Sequence, residues 1–377
     1  MRNIIKSILL ALLVLLSPNF IHASKLAKMA KKSGEIRIKD VSPHKTLNLN
    51  YNYGEMELVF WDKNEIVLKY DECVRASSQK RADEILQQRI AIKSIEGHYF
   101  RVGNADDSSV SFNSKWTVYV PSHISSVAAS NSFGNITVGK GFSGLIRIDV
   151  QNGDVNIPET KAMCVVEVTH GNFYVGNAAY LNMTTKHANG TIAFAQILKV
   201  QAEHADFCKI DKADVMTINS KHSKIKVGNV GQLSSQGSYS TLEVNELSGL
   251  ANIRDMQHST IEMDKFLGKL DATDLSYSKL NITISKFNHT PFIMVTDLDY
   301  TDVKVKLPAS LRTSIYDNSK GSCRSISSGT AKIKSSAPWS SPNGVSTHVF
   351  KNTESFTPNS LIDINNESYG TILIEEY

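Results

Sequence analysis

One phrase recurs along this chain at short intervals: a flat or small residue, then Gly or Ser, then two apolar residues separated by one other residue. It appears as Phe133-Gly134-Asn135-Ile136-Thr137-Val138, Asn152-Gly153-Asp154-Val155-Asn156-Ile157 and His170-Gly171-Asn172-Phe173-Tyr174-Val175. Later copies open at Asn189-Gly190, His222-Ser223, Tyr239-Ser240, His258-Ser259, Tyr277-Ser278 and Tyr300-Thr301, with a degraded copy at Ala205-Asp206-Phe207-Cys208. The first apolar residues fall at 136, 155, 173, 192, 208, 225, 242, 261, 280 and 303, a period of 16 to 19 with one longer step. Self-similarity at a fixed short period is the mark of a repeat architecture.

Within each copy apolar and polar residues alternate, as in a strand with one buried face. A second short strand precedes the phrase, as in Ile146-Arg147-Ile148-Asp149-Val150. A coil of two short strands is too small to bury its own apolar face, so coils must stack and share a core. Parallel crossovers favour the right hand. The expected fold is therefore all-β, a right-handed parallel β-helix or β-roll solenoid of about 17–19 residues per coil. The Gly before the early strands is expected to supply a positive-φ turn, with Ser or Thr taking its place later.

Four segments follow. Residues 1–23 read as a signal peptide, with Arg2 and Lys6 ahead of the apolar run Ile8 to Leu16 and a cleavage site after Ala23. Residues 24–129 form a β-rich N-terminal cap with one helix near Ser78 to Gln88, where Ser78 caps the helix and Ala82, Ile85 and Leu86 share a face. Residues 130–307 are the solenoid repeats. Residues 308–377 are an irregular C-terminal region with a Ser-, Gly- and Pro-rich stretch, Ser319 to Pro342, and a closing strand at Tyr369 to Ile374.

No second apolar stretch reaches the roughly 20 residues of a membrane span, so the mature chain is expected outside the cytoplasm with no transmembrane segment. The full chain has a formal charge of +4; losing Arg2 and Lys6 leaves 4 − 2 = +2, too weak a field to attract nucleic acid. Cys73, Cys164, Cys208 and Cys323 lack paired spacing, which excludes a zinc ribbon or a thioredoxin-type site. Hydrolase, zincin, P-loop and dinucleotide motifs are also absent from the sequence, and no cofactor is expected.

In a stacked solenoid, equivalent positions lie about 4.8 Å apart, so a residue type repeated at one register becomes a column. Three residues before each first apolar position stand Phe133, Asn152, His170, Asn189, Ala205, His222, Tyr239, His258, Tyr277 and Tyr300. Tyr239, His258, Tyr277 and Tyr300 are the candidate ligand-binding residues, as a platform for glycan faces or a partner's side chains; stacked rings protecting a turn edge are the alternative. His170, His222 and His258 are not on neighbouring coils at this register, which argues against a shared metal ion. Asp255, Asp274 and Asp297 stand three residues ahead of the last rings on consecutive coils. They are a solvated face screened by Arg254, or the seat of a Ca²⁺ ion.

Asn52-Tyr53-Gly54-x-Met56-x-Leu58, Trp61-Asp62-Lys63-Asn64-Glu65-Ile66, the helix near 78–88, Trp116 to Pro121 and Asn131 to Ile136 together resemble a family of bacterial adhesins common in Bacteroidetes, with a β-helix or β-roll head domain. The resemblance implies an exported, adhesin-like solenoid with no assigned chemistry. The leading functional expectation is a non-enzymatic scaffold at the cell envelope that contacts a glycan or a surface protein. A polysaccharide-active enzyme built on the Asp255, Asp274 and Asp297 column, with Asp149 and Asp154 as a further acid pair, and a purely structural envelope protein are the alternatives.

Overall fold

A computed structural model of the chain describes residues 28–43, 46–89, 94–96, 99–103, 111–112, 114–285, 292–308, 313–317, 323–327, 348–349, 360–366 and 371–376. The signal peptide expected at 1–23 and most of the Ser-rich C-terminal stretch lie outside the described residues.

The chain is a β-solenoid, and its ladders are those of parallel coils. Val155–Thr169 pairs with Asn172–Lys186, which pairs in turn with Asn189–Glu203, Cys208–Lys221 and Lys224–Ser238, each in parallel register. In these coils the two strands expected from the sequence run together as one strand of 14 or 15 residues. From Thr241 onward each coil splits again, as in Thr241–Leu247 and Leu250–Gln257, with Ser248 and Gly249 at the break.

Inward positions form largely apolar columns. Ile146, Cys164, Leu181, Leu198, Met216 and Leu233 stack on one wall; Val138, Ile157, Val175, Ile192, Ile210 and Val227 belong to the other, and all are buried. One inward position is Gly190, paired between Phe173 and Cys208, and a Cβ there would lie 2.1 Å from the Phe173 carbonyl oxygen and 2.6 Å from its ring. Gly190 is thus not the turn glycine read from the sequence. It leaves room for a neighbour's ring.

Parallel coil pairing reaches back beyond residue 130. Thr46–Tyr51 pairs with both Tyr99–Gly103 and Ser126–Asn131, and Glu55–Trp61 pairs with both Lys115–Pro121 and Ile136–Val138. Residues 46–61 therefore form a coil inserted between two later ones. The capping elements beside it are the antiparallel strands Lys28–Lys39 and Glu65–Ala76 and the helix Gln79–Arg89. Ser78 Oγ accepts from the Arg81 amide at 3.2 Å, and Ala82, Ile85 and Leu86 are buried against Ala30, Val74 and Ala76.

Glu72 joins cap and solenoid. Its buried carboxylate accepts from Ser114 Oγ at 2.6 Å, Trp116 Nε1 at 2.5 Å and Tyr51 Oη at 3.3 Å.

The C-terminal end repeats the insertion. Ser360–Asn366 and Thr371–Glu376 lie between the coil of Phe292–Asp299 and Asp302–Leu307 on one side and the strands Thr313–Asp317 and Cys323–Ser327 on the other. The closing strand is an inner one.

Candidate functional site

From Asn152 to Tyr300 each coil turns at one corner through a residue with positive φ. Asn152, His170, His187, His204, His222, Tyr239, His258, Tyr277 and Tyr300 all have φ between 46° and 55°. The amide of each, from Asn152 to Tyr277, donates to the carbonyl just before the next corner, for example Tyr239 to Gln257 at 2.8 Å and Tyr277 to Asp299 at 2.8 Å. The backbone bends left-handed here and returns to the ladder at once.

The residue that follows points inward, and its size grows along the solenoid: Gly153, Gly171, Ala188, Ala205, Ser223, Ser240, Ser259, Ser278 and Thr301. A Cβ on Gly153 or Gly171 would lie 2.1 or 1.8 Å from the carbonyl oxygen of the preceding glycine, so these glycines serve close stacking and not positive φ. In the later coils the buried hydroxyls form a ladder. Ser259 Oγ accepts from the Ser240 amide at 3.2 Å and donates to the Gln257 carbonyl at 2.8 Å, and Ser223, Ser240 and Ser278 repeat this. The change from Gly to Ser keeps the turns regular because the hydroxyl supplies an acceptor to each buried amide.

The corner residues form one continuous stack. His170, His187, His204, His222, Tyr239, His258, Tyr277 and Tyr300 lie with ring centroids 4.8–4.9 Å apart and planes within 15° of parallel. Tyr53 and Phe133 extend the column toward the N-terminus, stacked at 4.7 Å, with Asn152 as the one non-ring member. Tyr239, His258, Tyr277 and Tyr300 therefore stand together as the sequence predicts, and all are exposed.

Two members differ from the sequence reading. Asn189 and Ala205 are not corner residues; His187 and His204 hold those places. The error follows from Gly190, whose register is that of Phe173 and not of the turn. In consequence His170, His187, His204 and His222 occupy four neighbouring coils, contrary to the expected gaps between the histidines.

A centroid spacing of 4.8–4.9 Å leaves no room for a third group between two rings. Each internal ring is already stacked on both faces. What the ladder offers to solvent is edges: imidazole nitrogens and phenol hydroxyls in a row one coil apart. That geometry differs from the open ring faces on which a sugar would lie flat.

Asp255, Asp274 and Asp297 are exposed on consecutive coils, also with φ of 50°, 57° and 53°, three residues before the rings. Arg254 pairs with Asp271 at 3.4 Å, and Asp297 accepts from Thr273 Oγ1 at 3.1 Å. Of the other acids considered, Asp149 is held above its ordinary pKa by partial burial, opposed by Arg147. Asp154 accepts from the Asn172 amide at 2.9 Å as a turn ladder member. Among the described residues no group of three or more His, Cys, Asp or Glu side chains is gathered as a metal site requires, and no helix is long and apolar enough to cross a membrane.

No protein-family model matches the chain, and no curated protein is similar to it. Two of the solved structures that align with the chain are, by name, a cell adhesion protein and an adhesin. One is a putative cell adhesion protein from Clostridium sporogenes, 9% identical over 92% of this chain and 100% of that one, with a TM-score of 0.18. The other is a putative adhesin from Parabacteroides merdae, 12% identical over 92% of this chain and 96% of that one, with a TM-score of 0.30.

Proposed function

We propose that the protein is an exported, non-enzymatic, adhesin-like scaffold of the cell envelope, and that the corner ladder is its contact line. The observation that carries this reading is a row of eight exposed rings, each at a left-handed corner where Asn152 shows that a smaller residue serves the turn equally well. A line of phenol and imidazole edges at one-coil spacing supplies hydrogen-bond donors and acceptors to an extended partner, a glycan chain or a surface protein, lying along the solenoid.

The test replaces Tyr239, Tyr277 and Tyr300 together by Asn, which keeps the left-handed corner. Adherence of the purified chain to glycan arrays and to isolated cell-envelope fractions is then compared with wild type. Loss of adherence with an unchanged circular dichroism spectrum supports the reading. Unchanged adherence removes the ladder as the contact line.

A further inference from the structure

Beside the ladder, on the outer face of the strands that leave three consecutive corners, lies a groove of about 310 Å³ lined by Glu262, Asp264, Asn281, Thr283, Lys304 and Lys306 together with Met263 and Ile282. Its shape follows from the register. Glu262 pairs with Asn281 and Asn281 with Lys304; Thr283 pairs with Lys306. The middle coil thus presents Asn281 and Thr283 between the carboxylates of Glu262 and Asp264 on one side and the long Lys304 and Lys306 on the other. Met263 and Ile282 point inward and are buried.

Earlier coils close the same face differently. Lys224 and Lys226 reach Glu243 on the adjacent coil at 2.7 and 2.8 Å, so opposite charges one coil apart cover the strand. At Glu262, Asn281 and Lys304 the opposite charges are two coil steps apart, about 9.6 Å between strand positions. Asn281 and Thr283 form the floor that this separation leaves open.

The geometry points to a binding site for a neutral, hydroxyl-rich saccharide unit. One rim, Glu262 and Asp264, only accepts hydrogen bonds; the other, Lys304 and Lys306, only donates; the floor does both. Sugar hydroxyls, each donor and acceptor at once, satisfy all three rows. Two carboxylates against two ammonium groups leave no net charge to favour an anion or a cation, and no exposed apolar side chain lines the groove to favour an apolar ligand. The volume is at the small end of ligand sites, the scale of a short saccharide segment. The site is separate from the ring edges, and the inference stands without them.

The full chain is presented to an array of neutral gluco-, galacto-, manno- and N-acetylhexosamine oligosaccharides, with uronate, sulfated and chitosan oligomers alongside, and the strongest binder is titrated by calorimetry. The expected result is binding of a neutral oligosaccharide, weakened about tenfold or more in Asn281→Leu with Thr283→Val, which removes two floor hydrogen-bonding groups. The pair Glu262→Gln with Asp264→Asn, which keeps the side-chain shapes, weakens it as well, and Glu167→Gln, exposed on a distant coil, leaves it unchanged. No binding to any neutral oligosaccharide, a preference for charged oligomers alone, or full binding by the floor variant overturns the inference. Binding lost in Tyr277→Asn but kept in the floor variant also overturns it while leaving the ladder reading intact.

Discussion

Removing one ring from the middle of the ladder tests whether the stack stabilises the solenoid. Tyr277 stacks on His258 and on Tyr300, both at 4.9 Å. At about 0.5–1.5 kcal/mol for each offset pair, Tyr277→Ala loses about 1–3 kcal/mol. Tyr277→Asn loses the same stacking but relieves a left-handed corner at φ 50°, a conformation that costs most residues about 1–2 kcal/mol and Asn much less. The Asn variant is therefore the more stable of the two by about 1 kcal/mol. Adding His258→Asn removes a neighbour that shares one pair with Tyr277, so the double variant is less destabilised than the sum of the singles by about 0.5–1.5 kcal/mol. Tyr239→Asn with Tyr277→Asn shares no pair and adds. Because repeat arrays open locally, the readout is amide hydrogen exchange at Tyr239, His258 and Tyr277, whose amides donate to Gln257, Ser276 and Asp299 at 2.8, 2.9 and 2.8 Å. Equal additivity for both pairs of substitutions would refute mutual stabilisation by the rings.

Other sites give independent checks. Ser259→Ala deprives the buried Ser240 amide of its acceptor and lowers stability by about 1–3 kcal/mol in denaturant titration; a loss near zero contradicts the hydroxyl ladder. Ser235, in the core column between Ile218 and Ile253, has a buried hydroxyl with no hydrogen-bond partner, so Ser235→Ala raises the unfolding midpoint, and a lowered midpoint shows that the hydroxyl is satisfied. Burial pushes the Cys164 and Cys208 thiols up to about 12, so neither is alkylated at pH 8 until the chain unfolds. The sign for stability is fixed: the folded state holds these protons longer than the unfolded one, so their contribution is complete below about pH 9 and is lost as pH rises toward 12. Replacing Cys164 and Cys208 by Ala should flatten that alkaline loss. Glu72→Ala leaves the Trp116 indole, the Ser114 hydroxyl and the Tyr51 phenol without their shared acceptor, and the near-ultraviolet circular dichroism of Trp116 is the direct readout of the loosened junction.

The solenoid was legible because alternation with a fixed period leaves few other ways to bury an apolar face. Its register was less so. Reading glycine as punctuation placed Gly190 at a turn, whereas it is an inward ladder position where a Cβ would meet both the carbonyl and the ring of Phe173. The signal that would have corrected this lay in the even spacing of His170, His187, His204 and His222. The coil inserted at Thr46 and the strands inserted at Ser360 left no local mark, because a parallel pairing between distant segments writes nothing into either segment beyond its strand pattern. The groove was also hidden, since Glu262, Asn281 and Lys304 are ordinary surface residues until register sets them side by side.

The energetics of the ladder bear on why rings stand there. Eight rings from His170 to Tyr300 make seven stacked pairs. Stacking at about 0.5–1.5 kcal/mol per pair and left-handed strain at about 1–2 kcal/mol per residue are of the same size and opposite sign. For folding alone the row is nearly neutral, and Asn152 performs the same turn without stacking. Stacking energy and corner strain thus leave the proposed contact role of those edges to be decided by binding and not by stability. This makes the triple Asn variant informative: it is expected to fold as the wild type does, so a change in adherence reports the lost edges and not a damaged scaffold.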